Sequence, residues 1–352
     1  MAISKSTILK ILSKAPIGFL FKPFYSGEGS ILFMHKVVLN KDKNASRIPL
    51  MAANEIEVDF LEKMILFLKK KKYEFISLDE LHYRLENPEK KSKKFIVFTF
   101  DDGYKDNLTL AYPIFKKHNV PFTIYLTNCY PNKTAKLWWY MLEDILLENT
   151  IFSLKVGDLF VEHSCKTQKE KENTFGKLRT LIISSAPEKQ NEIIEALEKK
   201  YSKSLQTYVE NESLNWDEVK KLSEDSLVTI GGHSLNHLTF NKLNKEEILT
   251  EVLGSKQEIE KNIDKEVAHF AYPFGTSNEI NQREVEILEE NTNFKTATTT
   301  RMGNIFLDHK QSCFALPRIQ VLGNQQNLSI LNLYLTGVLP AIKNRFKKIV
   351  TL

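Results

Sequence analysis

The sequence predicts an α/β protein whose strands run parallel in a barrel or an open sheet. Three observations carry this. Short apolar runs alternate with segments of helical spacing along most of the 352 residues. The connections between them are short, as in successive βαβ units. The runs themselves, such as Phe95-Ile-Val-Phe-Thr-Phe100, are apolar throughout and not alternating, which is the pattern of strands buried on both faces. With 42% hydrophobic and 26% charged residues, the chain is long enough and apolar enough to bury a sizeable core without staples.

Taken in order, residues 31–38 form a strand candidate that contains His35. Ile56, Phe60, Leu61, Met64, Ile65 and Leu68 recur at helical spacing, with lysines closing the C-terminal end, where they suit the helix dipole. Phe75 and Ile76 start a short strand, and residues 78–85 a second helix that carries His82 as a surface or packing residue. After the run from Phe95, Asp106 or Asn107 is placed to cap a helix through Leu110, Ile114 and Phe115, and residues 122–126 are the next strand. From Asn132 to about Glu212 the alternation gives way to charged, helical sequence, with Trp138, Trp139 and Tyr140 at its entrance. We read those aromatics as a hydrophobic hinge in preference to a sugar-stacking platform. The regular pattern then resumes: a helix over 216–222, a strand over 228–232, a helix over 245–263 and a strand over 269–272. A helix around 284–290 and strands over 294–299 and 314–321 complete it. His163 and His309 lie in polar surroundings and are expected to be exposed.

Chemistry concentrates at the ends of two of these strands. The run from Phe95 stops at Asp101-Asp102-Gly103, and adjacent residues of a strand face different neighbours, so one carboxylate can ligate a cation while the other stays free as a base. The imidazoles such a site needs follow another short apolar run, in Gly231-Gly-His-Ser-Leu-Asn-His237. His233 and His237 stand one helical turn apart, a spacing that lets two rings converge on one ion. Asp102, His233 and His237 would leave coordination positions open for water and substrate.

At these residues the sequence resembles the NodB-homology polysaccharide deacetylases, carbohydrate esterase family four. The family's TFDDG motif stands at Thr99 to Gly103, its HSxxH motif at His233 to His237, and its later Pro-aromatic-Gly motif within Ala271-Tyr-Pro-Phe-Gly275. Either of the first two alone would be a weak signal; all three in family order, each after a predicted strand, make a strong one. The resemblance selects a distorted (β/α) barrel spanning residues 28–327, interrupted by an inserted helical subdomain at 132–212, since the family's first two motifs usually lie closer together. It implies metal-dependent hydrolysis of an N-acetyl group on a sugar, with one divalent metal, zinc by family expectation, held by Asp102, His233 and His237. Cobalt, nickel or iron(II) also suits that donor set. Asp101 would be the base, and the backbone N–H of Phe274, in the turn with Tyr272 and Pro273, would stabilise the oxyanion. Two departures stand out. Ala271 occupies the position of the family's base-orienting arginine, and no C-terminal Leu-x-His supplies an acid. Arg318 on the last strand can replace the first, and His35, placed as in the biofilm-type poly-N-acetylglucosamine deacetylases, the second.

Charge is unevenly spread. The net charge is +5, yet residues 1–27 carry four lysines and no acid, and residues 309–352 carry six Lys or Arg and again no acid. Both ends, 1–27 and 328–352, read as basic amphipathic segments suited to an anionic bilayer surface: Ile8, Leu9, Ile11 and Leu12 in the first, and Leu333, Leu335, Leu339, Ile342, Phe346 and Ile349 in the second. The expectation is a cytoplasmic protein, peripheral on the inner membrane face, with an N-acetylated glycan as its partner and lipid-linked sugars presented to its pocket. No nucleic-acid motif accompanies the basic ends. No secretion signal or spanning stretch is read, and Cys129, Cys165 and Cys313 suggest neither a disulfide framework nor a thiolate metal site. Two competing readings are an amidase acting on a non-sugar amide and a catalytically inactive glycan-binding barrel.

Overall fold

Leu9, Leu12 and residues 17–39, 47–89 and 93–352 are described by a computed structural model. Its strands are β1 (Gly29–Met34), β2 (Lys36–Val38), β3 (Glu55–Glu57), β4 (Glu74–Phe75), β5 (Phe95–Asp102) and β6 (Phe122–Leu126), followed by β7 (Ile151–Val156), β8 (Leu159–Ser164), β9 (Val228–Gly232), β10 (His269–Ala271), β11 (Thr296–Met302) and β12 (Leu316–Gln320). Seven of them close into a parallel barrel in the order β1-β12-β11-β10-β9-β6-β5, with β1 pairing back onto β5 from Gly29–Phe95 to Met34–Phe100. The short β4 adds to the start of β5.

The helices around the barrel start where the sequence offers caps. Asn215 with Glu218, Asn244 with Glu247 and Asn281 with Glu284 each form a reciprocal capping box, and these begin the helices Trp216–Ser223, Lys245–Ile263 and Gln282–Asn291. The helix Val58–Lys70 buries Phe60, Leu61, Met64, Ile65 and Leu68 against the strands, while Ile56 belongs to β3. All eight residues of β5 are buried, which is why its sequence is apolar on both faces.

Several local expectations differ from the structure. The predicted strand over 31–38 breaks at His35, where the chain leaves the barrel and β2 pairs with β3. Asp106 does not cap: its carboxylate accepts from the Val37 N–H at 2.7 Å, and a π-helical turn, Asn107–Ala111, precedes the helix Tyr112–His118. The segment read as helical contains a hairpin, β7–β8, beside the helices Trp138–Glu148, Gln168–Ser184, Pro187–Tyr201 and Leu205–Glu212. Its alternation, with Phe152, Leu154 and Val156 facing in, is a period-two signal that the surrounding charge obscured. These elements enclose a core of their own, including Trp138, Leu142, Phe152, Phe175 and Leu178. Trp139 and Tyr140 pack against the cluster of Tyr104, Cys129 and Tyr130. His309, expected at the surface, is fully buried, its Nε2 3.3 Å from the Val350 carbonyl. All three cysteines are unpaired.

Of the N-terminal segment only Leu9, which is buried, and Leu12 are described before Ile17; Ile8, Ile11, Lys10 and Lys14 lie outside the described residues. The C-terminal expectation needs correction. Leu331, Leu333 and Leu335, in the helix Leu328–Leu335, are buried in the protein core and are not free for a bilayer.

Candidate active site at the C-terminal ends of the strands

Strand parity decides which side chains meet. Ile31, Phe95, Val97, Tyr125 and Leu316 fill the barrel interior, whereas Ile96, Phe98 and Phe100 pack outward under the helices. Asp101 has the parity of Phe95 and Val97, and Arg318 that of Leu316, so both point inward and meet across the barrel. Arg318 grips Asp101 with two hydrogen bonds, Nη1 to Oδ1 at 2.6 Å and Nη2 to Oδ2 at 2.8 Å. Its Nε donates to the Thr299 carbonyl at 3.0 Å, and its guanidinium lies 4.3 Å from the Phe33 ring centre. Burial works against the Asp101 charge, but the Arg318 guanidinium, helped by His233 and His35, outweighs it and holds the carboxyl at about 2.

Asp102 turns the other way. Its φ is +80°, and Gly103 follows at φ +102°, where an added Cβ would sit 2.4 Å from Leu126 Cδ1. Asp102 Oδ1 is buried without a hydrogen-bond partner and lies 3.6 Å from His233 Nε2 and 3.5 Å from His237 Nε2. His233 Nδ1 stands 2.7 Å from the Ala271 carbonyl, which can only accept, so Nδ1 carries the proton and the Nε2 lone pair faces Asp102. Burial lowers both imidazoles to about 4, and at neutral pH they are uncharged. Burial likewise raises the Asp102 carboxyl, with His35 and His233 pulling the other way. Three potential ligand atoms, one from each residue and all within 4.8 Å of one another, thus converge, and Asp102 Oδ1 takes no hydrogen bond there. That arrangement is unfavourable by itself and fits a divalent cation, for which two imidazoles and a carboxylate are an ordinary donor set.

The two histidines do not share a helix, as their spacing had suggested. They converge through a loop in which Ser234 (φ +70°) and His237 (φ +57°) are left-handed. Ser234 Oγ accepts the His237 N–H at 2.9 Å, closing the turn. Glu251, which belongs to none of the three motifs, holds the loop from outside: its carboxylate takes the Asn236 N–H at 2.8 Å and side-chain amide at 2.7 Å. A carboxylate on the buried face of the helix Lys245–Ile263, beside Ile248 and Val252, was the available signal.

Phe274 also sits at positive φ, +61°, with its ring 4.7 Å from that of His237. Thr300 Oγ1 donates to the Phe274 carbonyl at 2.7 Å, and the Gly275 N–H to the Pro273 carbonyl, also at 2.7 Å. Among the described residues the Phe274 N–H has no acceptor. Tyr272 does not reach the site: its ring is buried between Phe240 and Phe270, and its hydroxyl donates to the Phe314 carbonyl at 3.0 Å. His35 continues the inward parity of Ile31 and Phe33, its Nδ1 is buried and unpartnered, and it lies within electrostatic reach of Asp101, Asp102 and His237. His269 lies elsewhere, at the start of β10 beside Thr296 and Asp79.

The helix Leu205–Glu212 borders this site. The Lys105 N–H donates to the Glu212 carbonyl at 2.7 Å and the Leu214 N–H to the Gly103 carbonyl at 3.1 Å, tying the end of the helix Leu205–Glu212 to the turn after Asp102. Lys36, next to His35, pairs with Glu212 and stands 4.6 Å from the Tyr140 ring centre. A cleft of about 340 Å³ opens there, lined by Lys36, Val38, Lys105, Asp106 and Glu212 among others. Burial raises the Asp106 carboxyl to about 7.

Comparison with known proteins agrees with this architecture. The family profile described as polysaccharide deacetylase matches residues 88–151 and 181–291, leaving out most of the β7–β8 hairpin and part of the helix after it. The Bacillus subtilis (strain 168) protein YxkH is 39% identical over 54 residues, 15% of this chain and 19% of the relative, so the match spans about a fifth of that protein. Among solved structures, the Streptococcus pyogenes deacetylase PplD, determined with acetate, superposes with a TM-score of 0.55 at 19% identity, covering 88% of this chain and 97% of that one. A de-N-acetylase from Aggregatibacter actinomycetemcomitans gives 0.53 at 15% identity, over 86% and 98%. IcaB from Ammonifex degensii gives 0.53 at 14% identity, over 88% and 97%.

Proposed function

The chain belongs to the polysaccharide deacetylases, and on that premise we propose that it hydrolyses the N-acetyl group of a sugar in a surface polysaccharide or lipid-linked glycan, releasing acetate and leaving a free amine. The observation that carries this reading is the opposite setting of two adjacent carboxylates. Asp101 is locked in its ionised form by Arg318, while Asp102 leaves a buried oxygen unsatisfied against two neutral imidazoles. Asp102, His233 and His237 would hold one divalent metal, which we assign as zinc; when bound, such an ion acidifies its water and polarises an acyl oxygen.

The chain's own groups do the rest. Asp101 stays ionised through the working pH range and takes the water proton, with Arg318 keeping its plane fixed. The unpaired Phe274 N–H, held by the strained turn, donates to the developing oxyanion. His35 protonates the departing amine, its free ring nitrogen being the group on the opposite wall with an inward parity. His237, 28% exposed, and the Phe274 ring, 44% exposed, mark the side from which the acetyl group enters.

Metal-loaded protein incubated with GlcNAc and GalNAc oligosaccharides, with acetate and product mass both measured, tests the proposal. Release of one acetate per deacetylated sugar is expected. Turnover of non-sugar amides alone would make the chain an amidase, and oligosaccharide binding without turnover a glycan-binding barrel. Within the same assay His35→Ala is expected to lower kcat by about 10² to 10⁴ with its metal content unchanged. Near-normal activity would take the acid role away from His35.

A further inference from the structure

We propose that the end of the barrel opposite the catalytic residues carries a docking face for an anionic lipid bilayer, built by two segments far apart in sequence. The first is the helix Gly18–Tyr25, which leads into β1; the second is the helix Val338–Lys343 with the turn after it. The two pack together: the Phe346 ring lies 6.3 Å from that of Phe21 and 6.2 Å from that of Tyr25, and Lys348 Nζ stands 5.9 Å from the Phe24 ring centre. Arg345 and Phe346 both hold left-handed backbone, φ +50° and +64°, a conformation that persists because the Phe346 ring is fixed against Phe21 and Tyr25.

What this junction leaves uncovered is unusual. Phe19, Leu20, Phe24, Ile342 and Phe346 are between 50 and 82% exposed, while Val338, Pro340 and Ala341 of the second segment are buried and Leu339 is half-buried. On the helix Gly18–Tyr25, Phe19, Leu20, Pro23 and Phe24 share one contiguous arc at about 100° per residue. Lys22, Lys343, Arg345, Lys347 and Lys348 are exposed around these side chains, and no acidic side chain occurs in residues 1–27 or 309–352. Exposed aromatic and aliphatic groups ringed by cations of one sign match the boundary of an anionic bilayer, where rings enter the acyl region and lysines meet headgroups. Among the described residues no helix is long and apolar enough to cross a membrane, so the face lies on the bilayer and does not span it.

Orientation follows from topology. The helix Gly18–Tyr25 enters the N-terminal end of β1, and Lys94, just before β5, hydrogen-bonds Ser26 Oγ. Asp101 and Asp102 are at the C-terminal end of β5, and His233 follows β9. A tilted strand of this length separates the two ends by roughly 20 Å. Docking therefore turns the metal triad away from the membrane, contrary to the expectation that lipid-proximal sugars reach the pocket. On the deacetylase reading, the substrate is a glycan that extends away from the bilayer.

Co-sedimentation with phosphatidylcholine vesicles, with and without 30% phosphatidylglycerol, is the test. Binding is expected only to the anionic vesicles at low salt, weakening about fivefold for each of Lys343→Gln and Lys347→Gln and lost in Phe19→Ser/Leu20→Ser, with acetate release from soluble substrate unchanged in all three. Dibromo-lipid quenching, read as the difference from the parent protein with its three native tryptophans, reports orientation: the added signal of Phe19→Trp is quenched and that of Leu238→Trp, beside His237, is not. Failure to bind anionic vesicles at low salt overturns the docking face, and a concentration-dependent dimer that shields Phe19 would assign it to a second copy of the chain. Quenching at Leu238 overturns the orientation. Because vesicle binding is scored without substrate, failure of the deacetylase reading leaves this result standing, and the reverse.

Discussion

Arg318→Met is expected to destabilise the protein by about 3–5 kcal/mol and to move the acidic limb of its pH profile toward neutrality. Arg318 and Asp101 are 0 and 2% exposed and share two hydrogen bonds, so removing the guanidinium leaves a carboxylate in the barrel interior with its main counter-charge gone. The sign of the pH effect follows from the balance of forces on Asp101. Burial pushes its pKa up and Arg318 pulls it down to about 2; without Arg318 burial prevails, the carboxyl takes up a proton at higher pH, and the base is lost over that range. Urea unfolding and kcat/KM against pH measure the two effects. The double variant Arg318→Met/Asp101→Asn should recover part of the lost stability, since it removes both charges. A stability change below about 1 kcal/mol, the range of an exposed pair, would mean that the two charges are not desolvated as described.

Asp101→Asn is expected to cut kcat by at least about 10² to 10⁴ while one metal ion stays bound, whereas Asp102→Asn and His237→Ala should lose both metal and activity. The difference rests on where the oxygens point. Both Asp101 oxygens face Arg318, inside the barrel; Asp102 Oδ1 faces the two Nε2 atoms. An amide at position 101 keeps the size of the side chain and leaves the donor set intact, although it strands the guanidinium, so the variant is assayed well below its melting temperature. Metal content of the purified variants, with kcat measured on metal-loaded protein, separates the cases. Metal loss in Asp101→Asn with retention in Asp102→Asn would reverse the two roles.

Much of this was legible in the chain because it is local. A strand buried on both faces must be apolar throughout, so β5 and the carboxylates that end it stand out, as do the short runs before His233 and Tyr272. The helices expected over 216–222 and 245–263 are present as Trp216–Ser223 and Lys245–Ile263, each begun by a capping box whose bonds reach only three residues along the chain. Parity within β5 also places Asp101 and Asp102 on different faces, a consequence of backbone geometry and nothing else.

What spacing could not convey is where distant segments meet. Four residues between His233 and His237 fit a helical turn, but the loop instead adopts left-handed backbone at Ser234 and His237 because Ser234 Oγ and the Glu251 carboxylate supply the bonds that hold it there. Asp101 and Arg318 are 217 residues apart and touch only because β1, paired with β12 on one side, closes the ring by pairing with β5 on the other. Likewise, the terminal segments read one by one offered Leu333 and Leu335 to a membrane. Folding buries both and exposes Phe19, Leu20, Phe24, Ile342 and Phe346 instead. Periodicity reports that one side of an element is apolar, whereas the identity of its cover is set by tertiary packing: the same leucine stripe lowers free energy equally well against lipid or against the protein's own core.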